Sequence, residues 1–231
     1  MATIFRDRHD AGKRLAQELR FLAGRSDLLV LGLARGGIPV AYEVARALNA
    51  PLDVFVVRKL GVPGREESAM GAIATGGIRV LNPDVIRMLG IPANEVERIT
   101  RAERRELERR EQAYRGQRPA PNVTGRTVIL VDDGLATGAS MFAAVAALRQ
   151  QGPTAVIVAV PVGAPDTCEA LRRTADGCVC AQTPRPFHGV SEWYIDFRQT
   201  SDAEVSALLA DTAAGQTPET QPTTREAGRA T

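Results

Sequence analysis

An α/β architecture, a parallel sheet with helices on both faces, is predicted by three observations. First, Leu28–Leu33, Val128–Val131 and Ala155–Val162 are continuous apolar runs of strand length, the pattern of strands buried on both faces. Second, helix-forming segments alternate with such runs, which points to parallel strands joined by crossovers. Third, two of the runs end in small-residue turns, Ala34-Arg35-Gly36-Gly37 and Gly134-Leu135-Ala136-Thr137-Gly138-Ala139-Ser140, each leading into a helix. Right-handed crossovers leave few topologies.

In chain order, Leu15, Leu19 and Leu22 give Ala11–Ala23 a helical period. Leu28–Leu33 is a strand, Ile38–Leu48 a helix with Pro39 in its first turn, and Asp53–Arg58 a second strand. Lys59–Gly77 is glycine-rich and contains Pro63, so a long functional loop is expected, with at most a short strand near its end. Pro83–Leu89 and Ala93–Arg115 are helical. The second is heavily charged, and Glu106–Arg110 and Glu111–Arg115 stand at i,i+4 spacing. Val128–Val131, Ser140–Gln150, Ala155–Val162, Pro165–Arg173 and Gly177–Gln182 then alternate strand and helix, and Asp202–Asp211 is a last helix. The expected organisation is one domain over 1–211 with a helical insert over 81–117. A disordered tail, rich in Thr, Gly, Pro and Ala, follows over 212–231.

Composition narrows the function. The 231 residues carry 29 basic and 27 acidic side chains, and that balance gives no nucleic-acid footprint. Only two lysines occur, Lys13 and Lys59, and the second lies inside a motif. Charges fall within the first eight residues, so no signal peptide is expected, and no apolar run reaches membrane-span length. The three cysteines, Cys168, Cys178 and Cys180, show no framework spacing and are read as buried small residues of a reducing compartment. A cytoplasmic protein that avoids membranes follows.

The chemistry gathers in three loops. In the third, strand Val128–Val131 ends in the adjacent carboxylates Asp132 and Asp133, and a small-residue loop then opens a helix. Free backbone N–H groups at a helix start hold phosphate, and paired acids hold hydroxyls or a cation-bound ligand. Burying two charges without a ligand or hydrogen-bond partner is costly, so the pair argues for a site. The first loop, Ala34–Gly37, lets the backbone approach an anion, with Arg35 adding positive charge. The second, Val57–Ala72, begins with Arg58 and Lys59, which suit an anionic leaving group, and its glycines suit a lid. Ligands of open parallel sheets bind beyond the strand ends where strand order reverses. Neighbouring positions for the first strand and the Val128 strand would make the first and third loops face one crevice.

The run Val-Ile-Leu-Val-Asp-Asp-Gly-Leu-Ala-Thr-Gly-Ala-Ser at 128–140 resembles the signature of type I phosphoribosyltransferases, which bind 5-phosphoribosyl 1-pyrophosphate (PRPP). The resemblance extends from about Phe5 to Leu209. Arg58–Gly77 and Gly189–Glu204 look like a bacterial branch whose members carry only provisional phosphoribosyltransferase names. It implies a Rossmann-like parallel sheet flanked by helices with a small helical hood. It also implies a pentosyltransferase of nucleotide metabolism that moves phosphoribosyl from PRPP to a small nitrogenous acceptor and releases pyrophosphate. By position, Asp132 and Asp133 would contact the ribose hydroxyls. Ala136, Thr137, Gly138, Ala139 and Ser140 would cradle the 5′-phosphate. Ala34, Arg35 and Gly36 would hold pyrophosphate, with a candidate cis peptide at Ala34–Arg35, and Lys59 would reach the same group. The implied cofactor, Mg²⁺, would bind mainly through PRPP oxygens, with Asp132 and Asp133 acting indirectly.

In hypoxanthine-type relatives an aspartate stands at the position of Ala136 and serves the purine, so a 6-oxopurine acceptor is disfavoured here. Glu66 or Glu67 on the mobile loop is the substitute acid–base candidate, beside Lys59 and Arg35 as catalytic candidates. Phe187, Trp193 and Tyr194, with His188, form an aromatic cluster with two readings, stacking on an acceptor or anchoring the C-terminal segment. The insert is likewise open between a hood and a subunit interface of a homodimer. A non-catalytic PRPP-binding regulator on the same fold is the alternative function, and a hydrolase or phosphorolytic enzyme running the chemistry in reverse is a third.

Overall fold

The computed structural model describes residues 3–214, the side chains of Glu66, Glu67, Ala213 and Ala214 excepted. A five-stranded parallel sheet forms the centre. Its strands are β1 (Leu28–Leu33), β2 (Leu52–Phe55), β6 (Thr127–Val131), β7 (Ala155–Val162) and β8 (Gly177–Gln182), in the order β2-β1-β6-β7-β8. Every residue of β1 and β6 is buried, which is why both read as unbroken apolar runs. Alternate side chains serve opposite faces. Val30, Ile129 and Val131 pack with Leu15, Val40 and Val44 of α1 (Arg8–Glu18) and α2 (Gly37–Leu48). Leu31, Leu130 and Val158 pack on the other face with Met141 and Leu148 of α5 (Ala139–Arg149) and Leu171 of α6 (Pro165–Thr174).

The order places β1 beside β6, with Leu28 opposite Thr127 and Gly32 opposite Val131. Strand order reverses between these two, so the turns after them open onto one crevice.

Five expectations are corrected, the last of them at the C-terminal helix. Helix α1 starts three residues early, because the Asp7 side chain accepts from the N–H of Asp10 at 2.7 Å. It ends at Glu18, followed by a 3₁₀ turn over Arg20–Leu22. The strand expected over Asp53–Arg58 breaks at Val56, where the chain leaves the central sheet. Val56 N–H donates to Thr75 Oγ1 at 2.9 Å, and Thr75 N–H returns a bond to the Val56 carbonyl.

The expected loop Lys59–Gly77 is mostly an antiparallel sheet. It consists of β3 (Val57–Val62), β4 (Arg65–Ala74) and β5 (Ile78–Leu81), with Lys59 opposite Ala72. Its glycines masked it for different reasons. Gly64 turns the hairpin at φ +71°, whereas a Cβ at Gly71 would collide with the Val80 carbonyl of β5.

The fourth correction concerns the cysteines. Cys168 and Cys180 are joined by a disulfide because α6 lies along β8, and Cys178 keeps a free thiol 3.7 Å from Cys180 Sγ.

Helices α3 (Pro83–Met88) and α4 (Ala93–Arg115) follow the small sheet. The α4 helix buries Val96, Thr100, Leu107 and Tyr114 and keeps both expected i,i+4 pairs. It is tied to β2 by Arg115, which donates to Asp53 at 2.7 Å and to the Val54 carbonyl. The last helix, α7 (Asp202–Ala214), runs three residues past its expected end, and positions 215–231 of the expected tail lie outside the described residues. Among the described residues no helix is long and apolar enough to cross a membrane.

Candidate active site

The first and third loops meet at the β1/β6 edge. The Ala34–Arg35 peptide is cis, and α2 starts two residues later at Gly37. A Cβ on Gly37 would lie 2.6 Å from the Val131 carbonyl and 2.9 Å from Asp132 Cα. A Cβ on Gly36 would overlap Oδ2 of Asp133. Only glycine lets the two turns pack backbone to acid pair at this spacing.

Asp132 and Asp133 are both partly buried. Burial drives the Asp132 carboxyl well above its ordinary range, and the adjacent Asp133 charge adds to this. The Asp133 N–H, 2.9 Å from Asp132 Oδ1, and Arg8 oppose it. Asp133 is raised by burial, against the pull of the Arg8 guanidinium 2.8 Å away.

The loop beyond the acids is pinned at Leu135, which bridges to Gly163. Gly138 takes φ +72° just before α5. Ala136, Thr137, Ala139 and Ser140 are exposed, and the first N–H groups of α5 lack intrahelical acceptors. A helix start of this kind can receive an anion.

Arg35, from the cis turn, reaches Asp202 at the start of α7 at 3.3 Å, and Asp202 also accepts from the Tyr114 hydroxyl at 3.0 Å. Lys59 is exposed on β3 and borders a groove of about 360 Å³ together with Ala139, Asn82 and Pro83. The structure therefore places all three predicted loops around one region: cis turn against acids, and Lys59 across a groove from the helix start.

A family model described as phosphoribosyl transferase domain matches residues 3–197. The chain belongs to this phosphoribosyl transferase family. Two curated relatives from Mycobacterium tuberculosis, strains CDC 1551 and H37Rv, carry provisional phosphoribosyl transferase names. Each is 48% identical over 206 residues, 89% of this chain and 46% of theirs. The chain thus spans about half the length of the curated relatives it matches. The crystal structure of TT1426 from Thermus thermophilus is similar at TM-score 0.81 and 44% identity, covering 91% of this chain and 99% of that one.

Within this phosphoribosyl transferase domain the aromatic cluster divides. Tyr194 is buried between Phe5 and Phe197, at ring distances of 5.4 and 5.0 Å, and its hydroxyl donates to the Asp133 carbonyl at 2.6 Å. It anchors the segment, and the stacking reading fails for this ring because neither face is free. Phe187 and Trp193 are half-buried against the same cluster, and the Trp193 indole N–H is buried without an acceptor among the described residues. Val190 of the same segment caps the acid turn: a Cβ on Gly134 would meet its Cγ1 at 2.5 Å. His188 is exposed. The Glu66 and Glu67 side chains lie outside the described residues.

Arg8 was missed. It sits in a charged run, Arg6-Asp7-Arg8-His9-Asp10, ahead of the helix expected from Ala11. Its place in the first turn of a helix, where a cation opposes the macrodipole, emerges only with the Asp7 cap, because the expected helix begins at Ala11.

Proposed function

We propose that this domain is a phosphoribosyltransferase that uses PRPP and Mg²⁺ to place phosphoribosyl on a nitrogenous acceptor. The observation that carries the reading is the contact of the cis Ala34–Gly37 turn with Asp132 and Asp133, which lets a pyrophosphate-sized anion and a ribose lie in one crevice.

In this reading the ribose C1–O bond breaks with its electron pair leaving on pyrophosphate. The acceptor nitrogen forms the new C1–N bond and gives up its proton, which the released pyrophosphate can take. The transition state is oxocarbenium-like, so the protein helps most by holding the departing charge and excluding water. Backbone N–H groups of the cis turn, Arg35 and Lys59 would take the pyrophosphate. The 5′-phosphate would sit on residues 136–140, and the acids would orient the ribose hydroxyls.

The acid pair fits a cation held chiefly by substrate oxygens, since Mg²⁺ is commonly bound through one or two carboxylates plus phosphates. Among the described residues no cluster of three or more His, Cys, Asp or Glu could hold a metal by itself. When bound, Mg²⁺ would neutralise charge on the pyrophosphate. Ala136 offers no proton-transfer group to the acceptor, which supports acceptors other than 6-oxopurines.

The test is incubation with PRPP, Mg²⁺ and a panel of nitrogenous bases, reading pyrophosphate release. Release with at least one base is expected. Tight PRPP binding with no turnover on any base would overturn the enzyme reading in favour of a PRPP-binding regulator, and no PRPP binding would overturn both.

A further inference from the structure

Arg8 and Asp133 form an ion pair in which neither side chain is more than 15% exposed. Arg8 Nε and Nη2 both donate to the same oxygen, Oδ2, each at 2.8 Å. The remaining nitrogen, Nη1, donates to the Arg198 carbonyl at 2.7 Å. The ring of Phe197 lies 4.1 Å from the guanidinium carbon. The Asp133 backbone is fixed separately, through the Tyr194 hydroxyl on its carbonyl. Arg8 is thus held by a carboxylate, a carbonyl and a ring face at once, and it holds one oxygen of Asp133 while leaving Oδ1 uncommitted by it.

Helix chemistry does not explain this placement. Arg8 is the first residue of α1, where positive charge opposes the dipole, and the cap is already made by Asp7. Stability explains it poorly too, since withdrawing both charges from water offsets much of their attraction. A reason specific to the site is left.

We propose that Arg8 is a positioning residue: by clamping Oδ2 of Asp133 it presents Oδ1 to the ribose hydroxyls, without touching substrate itself. The inference rests on the sugar-binding role proposed for Asp133. It also gives a role to Phe197 and Tyr194, which hold the clamp and its target from the C-terminal segment. Lysine would serve less well, because a single ammonium cannot hold Oδ2 and the Arg198 carbonyl together while lying flat on the Phe197 ring.

The experiment is calorimetric titration of the full chain, in the presence of Mg²⁺, with two probes: ribose 5-phosphate, which carries the hydroxyls, and inorganic pyrophosphate, which does not. Arg8→Met should weaken ribose 5-phosphate about 10–100-fold, the range for losing a charge-assisted contact, and leave pyrophosphate within about 2-fold. Arg8→Lys should recover only part of the loss. If Arg8→Met does not fold, Phe197→Leu, which keeps the ion pair and removes the ring under it, should show the same split at about 2–5-fold. Equal losses on both probes, or unchanged ribose 5-phosphate binding, would overturn the positioning role while leaving the proposed function standing. A parent chain that binds neither probe would overturn the proposed function, and this inference with it.

Discussion

Gly36 rests against the carboxylate of Asp133 so closely that a Cβ would overlap Oδ2, with Cγ 2.8 Å away and Arg8 Nε 3.2 Å away. The acid cannot swing clear easily, because the Arg8 fork holds that same oxygen. Gly36→Ala is therefore expected to destabilise the fold by about 1–3 kcal/mol in urea unfolding, as overpacking does, and to lower PRPP affinity by more than tenfold. Gly189→Ala is the control: nothing lies within 4 Å of its Cβ position, its φ of 179° is ordinary extended backbone, and neither readout should move.

The acid pair should leave a mark on the pH dependence of stability. Asp132 has a folded-state pKa raised by burial and by Asp133 above the ordinary 3.8. Between those two values the native state binds more protons than the unfolded chain, so this group's contribution falls as pH rises through the window from about 4 upward. Asp132→Asn abolishes that titration. The melting temperature of the variant should therefore gain on the parent as pH increases from 4 towards 7, measured by calorimetry. A constant difference across that range would refute the raised pKa. The double variant with Asp133→Asn should keep its fold and lose PRPP binding in a titration.

Most of the central sheet was legible because each parallel strand is buried on both faces and so is written as an apolar run, as in Leu28–Leu33. The acid-pair loop was legible for a related reason: charge directly after such a strand has no structural purpose of its own. The small sheet β3–β5 was not legible. Gly61, Gly64 and Gly71 serve a bulge, a turn and a close approach to β5, yet in composition they look alike. Arg8 was hidden because its partners, Asp133, Phe197 and Arg198, are 125 or more residues distant, and a single arginine among charges carries no trace of them. The choice between stacking and anchoring for Tyr194 stayed open for the same reason, since Phe5 lies at the other end of the chain.

Arg115 is the structural counterpart of this long-range pairing. Its side chain is 3% exposed and donates to Asp53, to Glu111 at 2.9 Å and to the Val54 carbonyl, joining α4 to the sheet edge. Arg115→Met would leave Asp53 buried without its cation. A loss of about 3–5 kcal/mol is expected, the range for removing one partner of a buried pair, with a matching fall in melting temperature. A loss under about 1 kcal/mol would show that Asp53 finds water once the arginine is gone.

Lys59 should behave in the opposite way. It is exposed on β3, no residue is paired with its ammonium among the described residues, and its neighbours across the groove are Ala139 and Pro83. Lys59→Met is expected to change unfolding free energy by no more than about 0.5 kcal/mol, as for a surface substitution away from structural features. Its effect should fall on the reaction. Negative charge on pyrophosphate grows as the C1–O bond breaks, so a lysine that meets this group stabilises the transition state more than bound PRPP. The variant should therefore lose more in kcat than in KM, and Lys59→Arg should restore part of kcat by returning a positive charge. A variant whose KM rises with kcat unchanged would place Lys59 on the ground state alone, and one unchanged in both would remove it from the site.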